Sequence, residues 1–169
     1  CITGPELSAF ALVDGEDVIW LASARDHKRA FDGNKGPNTG GMGAASPSPD
    51  ETDSLREDIL KNILEPTAKG MVADGAPYTG ILYAGLMLTN EGPQVIEFNC
   101  RFGDPEAQVI LPRLKSDLLD IIISHCNQKQ QEANIVFSPD IAITVIMANK
   151  GYPGSYQPNS IIKQLGTLS

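Results

Sequence analysis

The chain has 169 residues, with 13 Lys plus Arg against 21 Asp plus Glu, a net charge of −8. That length holds one domain, or one domain and the edge of a second, and a hydrophobic content of 41% is ordinary for a packed protein. The acidic balance argues against sequence-independent nucleic-acid binding, which needs a basic footprint, and no run approaches the roughly 18 to 20 apolar residues that span a membrane.

Leu7 to Val13 reads as a strand, Asp14-Gly15 as a two-residue turn, and Val18 to Ala22 as the return strand of a hairpin. From Ala24 to Pro49 the alternation vanishes into a stretch rich in glycine and proline. A loop of that length inside a compact domain is usually functional or disordered, and the Gly-rich centre favours function. Ser48-Pro49-Asp50-Glu51 offers a cap, a proline near the first helical position and a Glu three residues after the Ser. The helix it starts runs to about Leu64 on Leu55, Ile59, Ile63 and Leu64; Pro66 breaks or kinks it, and a further turn or two reaches Val72.

Thr79 to Leu88 and Gln94 to Phe102 make a second hairpin through Asn90-Glu91-Gly92-Pro93. Asp104-Pro105 is an N-cap and first-position signature for a helix to about Leu111, where Pro112 interrupts. Ser116 can cap a helix from Asp117 to about Gln128, Gln128 to Pro139 is loop-like, and Ile141 to Ala148 is a further strand. Gly151-Tyr152-Pro153-Gly154 reads as a boundary, so residues 1–150 form one domain and 151–169 begin a smaller one. The expected fold is α+β, a mainly antiparallel sheet with helices packed on one side. Cys1, Cys100 and Cys126 are odd in number and match no zinc spacing with His27 or His125, which points to free thiols in a reducing, cytosolic setting. His125 reads as structural. The absence of an initiator Met, and ends that fall as if inside elements, read as an internal piece of a longer protein.

The richest stretch chemically is Val95 to Phe102. Side chains alternate faces along a strand, so Ile96, Phe98, Cys100 and Phe102 share an apolar face, and Glu97, Asn99 and Arg101 share the other. A Glu and an Asn about 6.5 to 7 Å apart can both reach a hard cation, and Mg²⁺ commonly takes only one or two such ligands, leaving the rest to phosphate and water. Arg101, next in the row, is placed to neutralise charge in phosphoryl transfer. The same row also suits a strand that turns its polar side to solvent. Gly103-Asp104-Pro105-Glu106 adds acids and a helix start just past the strand end, although a plain N-cap explains Asp104 equally well. In Gly36 to Ala44, three glycines within four residues (Gly40, Gly41 and Gly43) let backbone N–H groups approach a ligand closely, or make a flexible loop. Asp26-His27-Lys28-Arg29 is a local basic cluster, a phosphate contact or a solvated turn.

Taken in order, Asp26 to Arg29, Gly36 to Gly43, Tyr78 to Leu86, Glu97 to Glu106, Leu114-Lys115-Ser116-Asp117-Leu118 and Lys150 to Gly154 resemble the phosphoribosylamine–glycine ligase family of ATP-grasp ligases, over nearly the whole chain. The resemblance implies that Glu97 and Asn99 ligate Mg²⁺ or Mn²⁺, and that Arg101 contacts the transferred phosphate or an acyl phosphate. It implies that Asn38, Thr39, Gly40 and Gly41, with Asp104 and Glu106, lie near glycine and 5-phospho-D-ribosylamine. Glu6, His27 and Lys28 would lie near the nucleotide, with ATP as co-substrate. The implied reaction activates glycine as glycyl phosphate in purine biosynthesis, and the Gly-rich loop is a candidate cover against water. Two departures stand out. The strand facing the metal row carries no acid near Gly85 and Met87, and the family's amino-terminal substrate domain, lid lysines and nucleotide hinge have no counterpart here. Such a piece would bind Mg-ATP weakly and turn over little without the missing amino-terminal part of the same enzyme. Two rivals are a nucleotide-binding module without turnover and a metal-dependent phosphohydrolase, which usually wants more acids or histidines than this chain offers.

Overall fold

A computed structural model describes residues 2–129 and 134–161; readings that fall on Cys1, on 130–133 and on 162–169, including the end of the expected carboxy-terminal unit, lie outside the described residues. The first hairpin pairs β1 (Glu6–Asp14) with β2 (Asp17–Asp26) across Asp14 and Asp17. The Gly-rich stretch is more ordered than a loop. It holds a small separate hairpin, β3 (Arg29–Phe31) with β4 (Lys35–Asn38), and then β5 (Gly43–Ser46), which joins the main sheet beside β2. The second hairpin is β6 (Thr79–Thr89) with β7 (Gly92–Asn99), and β8 (Ala142–Val145) closes the list. The main sheet is antiparallel throughout, in the order β7-β6-β1-β2-β5-β8. The expected α+β class, with a mainly antiparallel sheet, is what the chain adopts.

Between β6 and β2 lies β1, buried along nearly all its length, in keeping with its largely apolar Leu-Ser-Ala-Phe-Ala-Leu-Val run. On one face Leu7, Ala9, Ala11 and Val13 meet Leu82, Ala84 and Leu86 of β6 beneath Ile59, Leu64 and Ala68. Those last three come from one continuous helical rod: α1 (Asp53–Ile59), a π-helical segment (Leu60–Leu64) and α2 (Glu65–Ala73). Pro66 does not break the rod. It sits in the first turn of α2, directly after the wide π segment, where its missing N–H is least needed. The cap is Thr52, whose hydroxyl accepts from Leu55 N–H at 3.1 Å, rather than Ser48, which is buried and whose backbone N–H donates to Ser23 Oγ.

On the other face Phe10 stacks on Tyr83 with ring centroids 5.0 Å apart, over Val109 and Ile110 of α3 (Ala107–Ile110). This helix starts two residues later than Asp104-Pro105 indicates; Asp104 accepts instead from Gln108 Nε2 at 2.7 Å. A 3-10 turn, Leu111–Arg113, carries the chain past Pro112. Asp117, not Ser116, caps α4 (Leu118–Cys126), taking N–H bonds from Leu119 and Asp120. Arg113 ties the approach to β8 onto β5: its guanidinium donates to Ser46 Oγ at 2.7 Å, to Ser138 O at 2.9 Å and to Asp140 O at 2.8 Å. Among the described residues no helix is long and apolar enough to cross a membrane.

Candidate functional site

The site grows from the Phe10 face of the sheet. In register, Ser8 of β1 lies opposite Gly85 of β6, which lies opposite Glu97 of β7; one step along, Phe10, Tyr83 and Asn99 form the next row. Ser8 also pairs with Ala24 of β2, so Asp26, two residues on, shares that face. Space at Gly85 is tight, because a Cβ there would stand 3.2 Å from both Glu97 Cγ and the Tyr83 hydroxyl. Here Glu97, Asn99 and Arg101 open on one cavity of about 190 Å³, together with Asp26, Lys28, Thr39, Gly40, Tyr83, Gly103, Asp104 and Glu106.

Strand β7 ends at Asn99, so Arg101 stands on the bend after it; its Nη1 donates to Phe102 O at 2.8 Å. A bulge between Gly85 and Leu86 leaves Val95 opposite Leu86 and Glu97 opposite Gly85. The residue facing Asn99 is Tyr83, not Met87, which pairs with Gln94; the facing strand contributes no acid at either place. The reverse, apolar side of β7 stays open, with Ile96 at 48% exposure.

Behind the cavity the polar groups are linked. Ser8 Oγ donates to Glu106 Oε1 at 2.8 Å and lies 3.2 Å from the Tyr83 hydroxyl. Lys28 Nζ is 3.3 Å from Glu6 and 3.4 Å from Asp26 Oδ2. Burial pulls the Lys28 ammonium down, but Tyr83, Glu6 and Asp26 raise it by more, so it stays protonated. Burial and then the Glu106 carboxylate push Asp26 up to about 6, against the pull of Lys28. Burial likewise takes Tyr83 up to about 12, with Ser8's hydrogen bond opposing and Glu106 adding.

Asp26 therefore opposes folding once it ionises. Its proton is bound more tightly in the folded chain, so its contribution is fully present below 3.8 and is lost as pH rises to about 6. Thermal melts of parent and Asp26→Asn between those limits should diverge, the variant gaining relative to the parent as pH rises. Lys28, Glu6 and Glu106 face this carboxyl, and all three remain in both proteins. A constant gap across the window would contradict the assignment.

The Gly-rich loop reaches the cavity through Thr39 and Gly40. Thr39 is pinned to Lys28 O by both its N–H and its hydroxyl, at 2.7 and 2.9 Å, and Gly40 N–H donates to the Tyr152 hydroxyl at 3.1 Å. Gly41 packs so closely on Pro105 that a Cβ would stand 2.4 Å from the proline ring. Four expected residues sit outside the cavity wall. Gly41 packs against Pro105 behind it; His27 is exposed, its backbone tied to Gly43 and Met42; Asn38 is exposed at the end of β4; Glu6 acts on the cavity through Lys28.

A carboxylate, an amide and flanking acids suit a hard divalent cation that completes its shell from phosphate and water. Among the described residues no three His, Cys, Asp or Glu side chains are grouped to hold a metal by themselves. Residues 1–107 match the family described as phosphoribosylglycinamide synthetase, ATP-grasp (A) domain.

The chain belongs to that family. It is 50% identical over 166 residues to a phosphoribosylamine–glycine ligase of Vigna unguiculata, covering 97% of this chain and 53% of that protein. It is 48% identical over 165 residues to the Escherichia coli protein of the same name, covering 97% of this chain and 38% of that one. The crystal structure of the Thermotoga maritima phosphoribosylamine–glycine ligase superposes with a TM-score of 0.76 at 34% identity, over 93% of this chain and 39% of that one. The chain thus spans about half, or less, of the relatives it matches. Within this member of the family, sequence reasoning missed Tyr83 and Ser8 as site residues and took Asp26 only as part of a basic cluster. The signal for Tyr83 was the hairpin register, which places it directly across from Asn99.

Proposed function

We propose that this chain carries the metal–nucleotide and acyl-transfer site of an enzyme that joins glycine to 5-phospho-D-ribosylamine, converting ATP to ADP and phosphate. The observation that supports this best is the convergence of Glu97, Asn99 and Arg101 with Thr39, Gly40, Asp104 and Glu106 on one cavity. Glu97 and Asn99 would hold Mg²⁺ or Mn²⁺, which when bound offsets phosphate charge. Transfer of the γ-phosphoryl group to the glycine carboxylate gives glycyl phosphate; the amine of phosphoribosylamine then attacks the carbonyl, phosphate leaves, and the nitrogen sheds a proton. Arg101 lies on the same wall and supplies fixed positive charge to the transferring group. Thr39 and Gly40 cover one side, which limits attack by water on the acyl phosphate. Glu6 steadies Lys28, and Lys28 offers its ammonium to nucleotide or substrate phosphate. We place the reaction in a reducing cytosol, in keeping with the free thiols of Cys100 and Cys126, and within a longer chain, in keeping with the length of the relatives. The test is ADP release by the full-length protein. It should require both glycine and phosphoribosylamine; release that is indifferent to either would overturn the reading.

A further inference from the structure

We propose that Tyr152 is a positioning residue for this site: its hydroxyl accepts the Gly40 N–H and so holds the Gly-rich loop in place as a cover that keeps water from the activated glycine. The inference rests on the ligase reading above and assigns a role to the Lys150 to Gly154 segment, which that reading leaves without one.

The loop's own bonds show why an outside partner matters. Thr39 N–H donates to Lys28 O at 2.7 Å, Gly41 N–H to Thr39 Oγ1 at 3.0 Å and Met42 N–H to His27 O at 2.8 Å, all among residues 27 to 42. Gly40 N–H instead leaves that stretch and crosses to the Tyr152 hydroxyl at 3.1 Å. Gly40 and Thr39 are the residues of the loop that line the cavity. A glycine has no Cβ to limit its backbone, so the plane of the Thr39–Gly40 peptide is set by the group to which its N–H donates. The phenol tip also abuts the residue: a Cβ on Gly40 would stand 3.4 Å from the hydroxyl oxygen.

Tyr152 is itself held by a turn that does not depend on Gly40. After β8 the chain runs beside the loop, with Ile146 N–H donating to Met42 O at 2.9 Å. It then closes on itself: Tyr152 N–H donates to Asn149 O at 3.1 Å, Gly154 N–H to Gly151 O at 2.8 Å, and Asn149 Nδ2 to Gln157 O at 3.1 Å. The Tyr152 ring meets Tyr156 edge-on, with centroids 6.2 Å apart. Gly151, at φ +104, comes so close to Ser155 O that a Cβ would stand 2.5 Å away, so the turn requires glycine there. The hydroxyl is therefore placed to fix Gly40 rather than the reverse.

Water that reaches glycyl phosphate adds to its carbonyl carbon; the bond to the phosphate oxygen breaks, and glycine, phosphate and a proton are released. ATP is then consumed with no amide made. Held by Tyr152, Thr39 and Gly40 close one side of the cavity to that reaction.

The experiment compares the full-length parent with Tyr152→Phe, which removes only the hydroxyl and keeps the ring contact, and with Tyr156→Phe, which removes a hydroxyl from the same turn at an exposed ring. Two quantities are read: ADP released per amide product formed, and deuterium uptake by the peptide that holds Thr39 to Met42. Tyr152→Phe should release about twofold or more ADP per amide relative to the parent, and exchange at Gly40 should be about 5-fold faster. Tyr156→Phe should match the parent in both. A merely destabilised fold lowers ADP and amide together and leaves their ratio at the parent's value. A parental ratio in Tyr152→Phe, uptake no faster than the parent's, or the same change in Tyr156→Phe overturns the assignment. A parent whose ADP release does not need both glycine and phosphoribosylamine instead overturns the ligase reading, and the uptake at Gly40 then still decides whether Tyr152 holds the loop.

Discussion

Glu97→Ala in the full-length protein should lower kcat for ADP release by on the order of 10³-fold and leave folding unchanged. The residue sits at the end of an in-register row, opposite Gly85 and one strand from Ser8, so its carboxylate projects over a position with no side chain of its own. No neighbour can take over. The facing residues on β6 are Gly85 and Tyr83; Glu106 is engaged by Ser8, and Asp104 by Gln108. Removing the Glu97 carboxylate leaves Asn99 alone to offer an oxygen to a cation on that strand. Glu97 is exposed and makes no core contact, so the loss falls on turnover rather than stability. Glu91→Ala, in the exposed turn of the same hairpin, is the control and should match the parent. Activity in Glu97→Ala within a few-fold of the control would remove the carboxylate from the chemistry.

Phe10→Ala should act oppositely, costing about 3–5 kcal/mol of stability. Its ring is fully buried in the strand at the middle of the sheet, stacked on Tyr83 and 6.0 Å from Phe102. It therefore supports the row that carries Asn99 as well as the seat of α3. An alanine leaves a cavity bounded by strands on both sides and by Val109 and Ile110, which the stiff sheet cannot close. Phe10→Leu keeps most of the apolar volume and should cost roughly 1 to 2 kcal/mol. Urea unfolding of the three proteins checks the order; equal midpoints for Ala and parent would show that the Phe10 cluster does not hold this face together.

Much of this could be read before any coordinates. Both hairpins announced themselves through Asp14-Gly15 and Asn90 to Pro93, because tight turns need particular residues. The Glu97, Asn99, Arg101 row followed from period-two alternation, which survives both the bulge at Gly85 and the strand end at Asn99. Strand β5 was hidden because Gly43-Ala44-Ala45-Ser46 has no β-branched or aromatic residue; pairing with β2 and β8, and the clamp from Arg113, make it a strand. The rod from Asp53 to Ala73 was misjudged at Pro66, since nothing local signals a π segment that accommodates a proline. Asp26 escaped notice as a site residue for a similar reason. Its neighbours in sequence are basic, while its neighbours in space, Glu106 and Gly41, arrive from other elements. Convergence across strands is tertiary information.

The central claim is that Glu97 and Asn99 present one divalent cation, with its nucleotide, to Arg101. Electron paramagnetic resonance of Mn²⁺ titrated into the full-length protein with ATP tests it most directly. The parent should give a protein-bound Mn²⁺–ATP signal that is lost, or weakened at least about 10-fold in affinity, in Glu97→Gln and in Asn99→Leu. An undiminished signal in both variants would contradict the account.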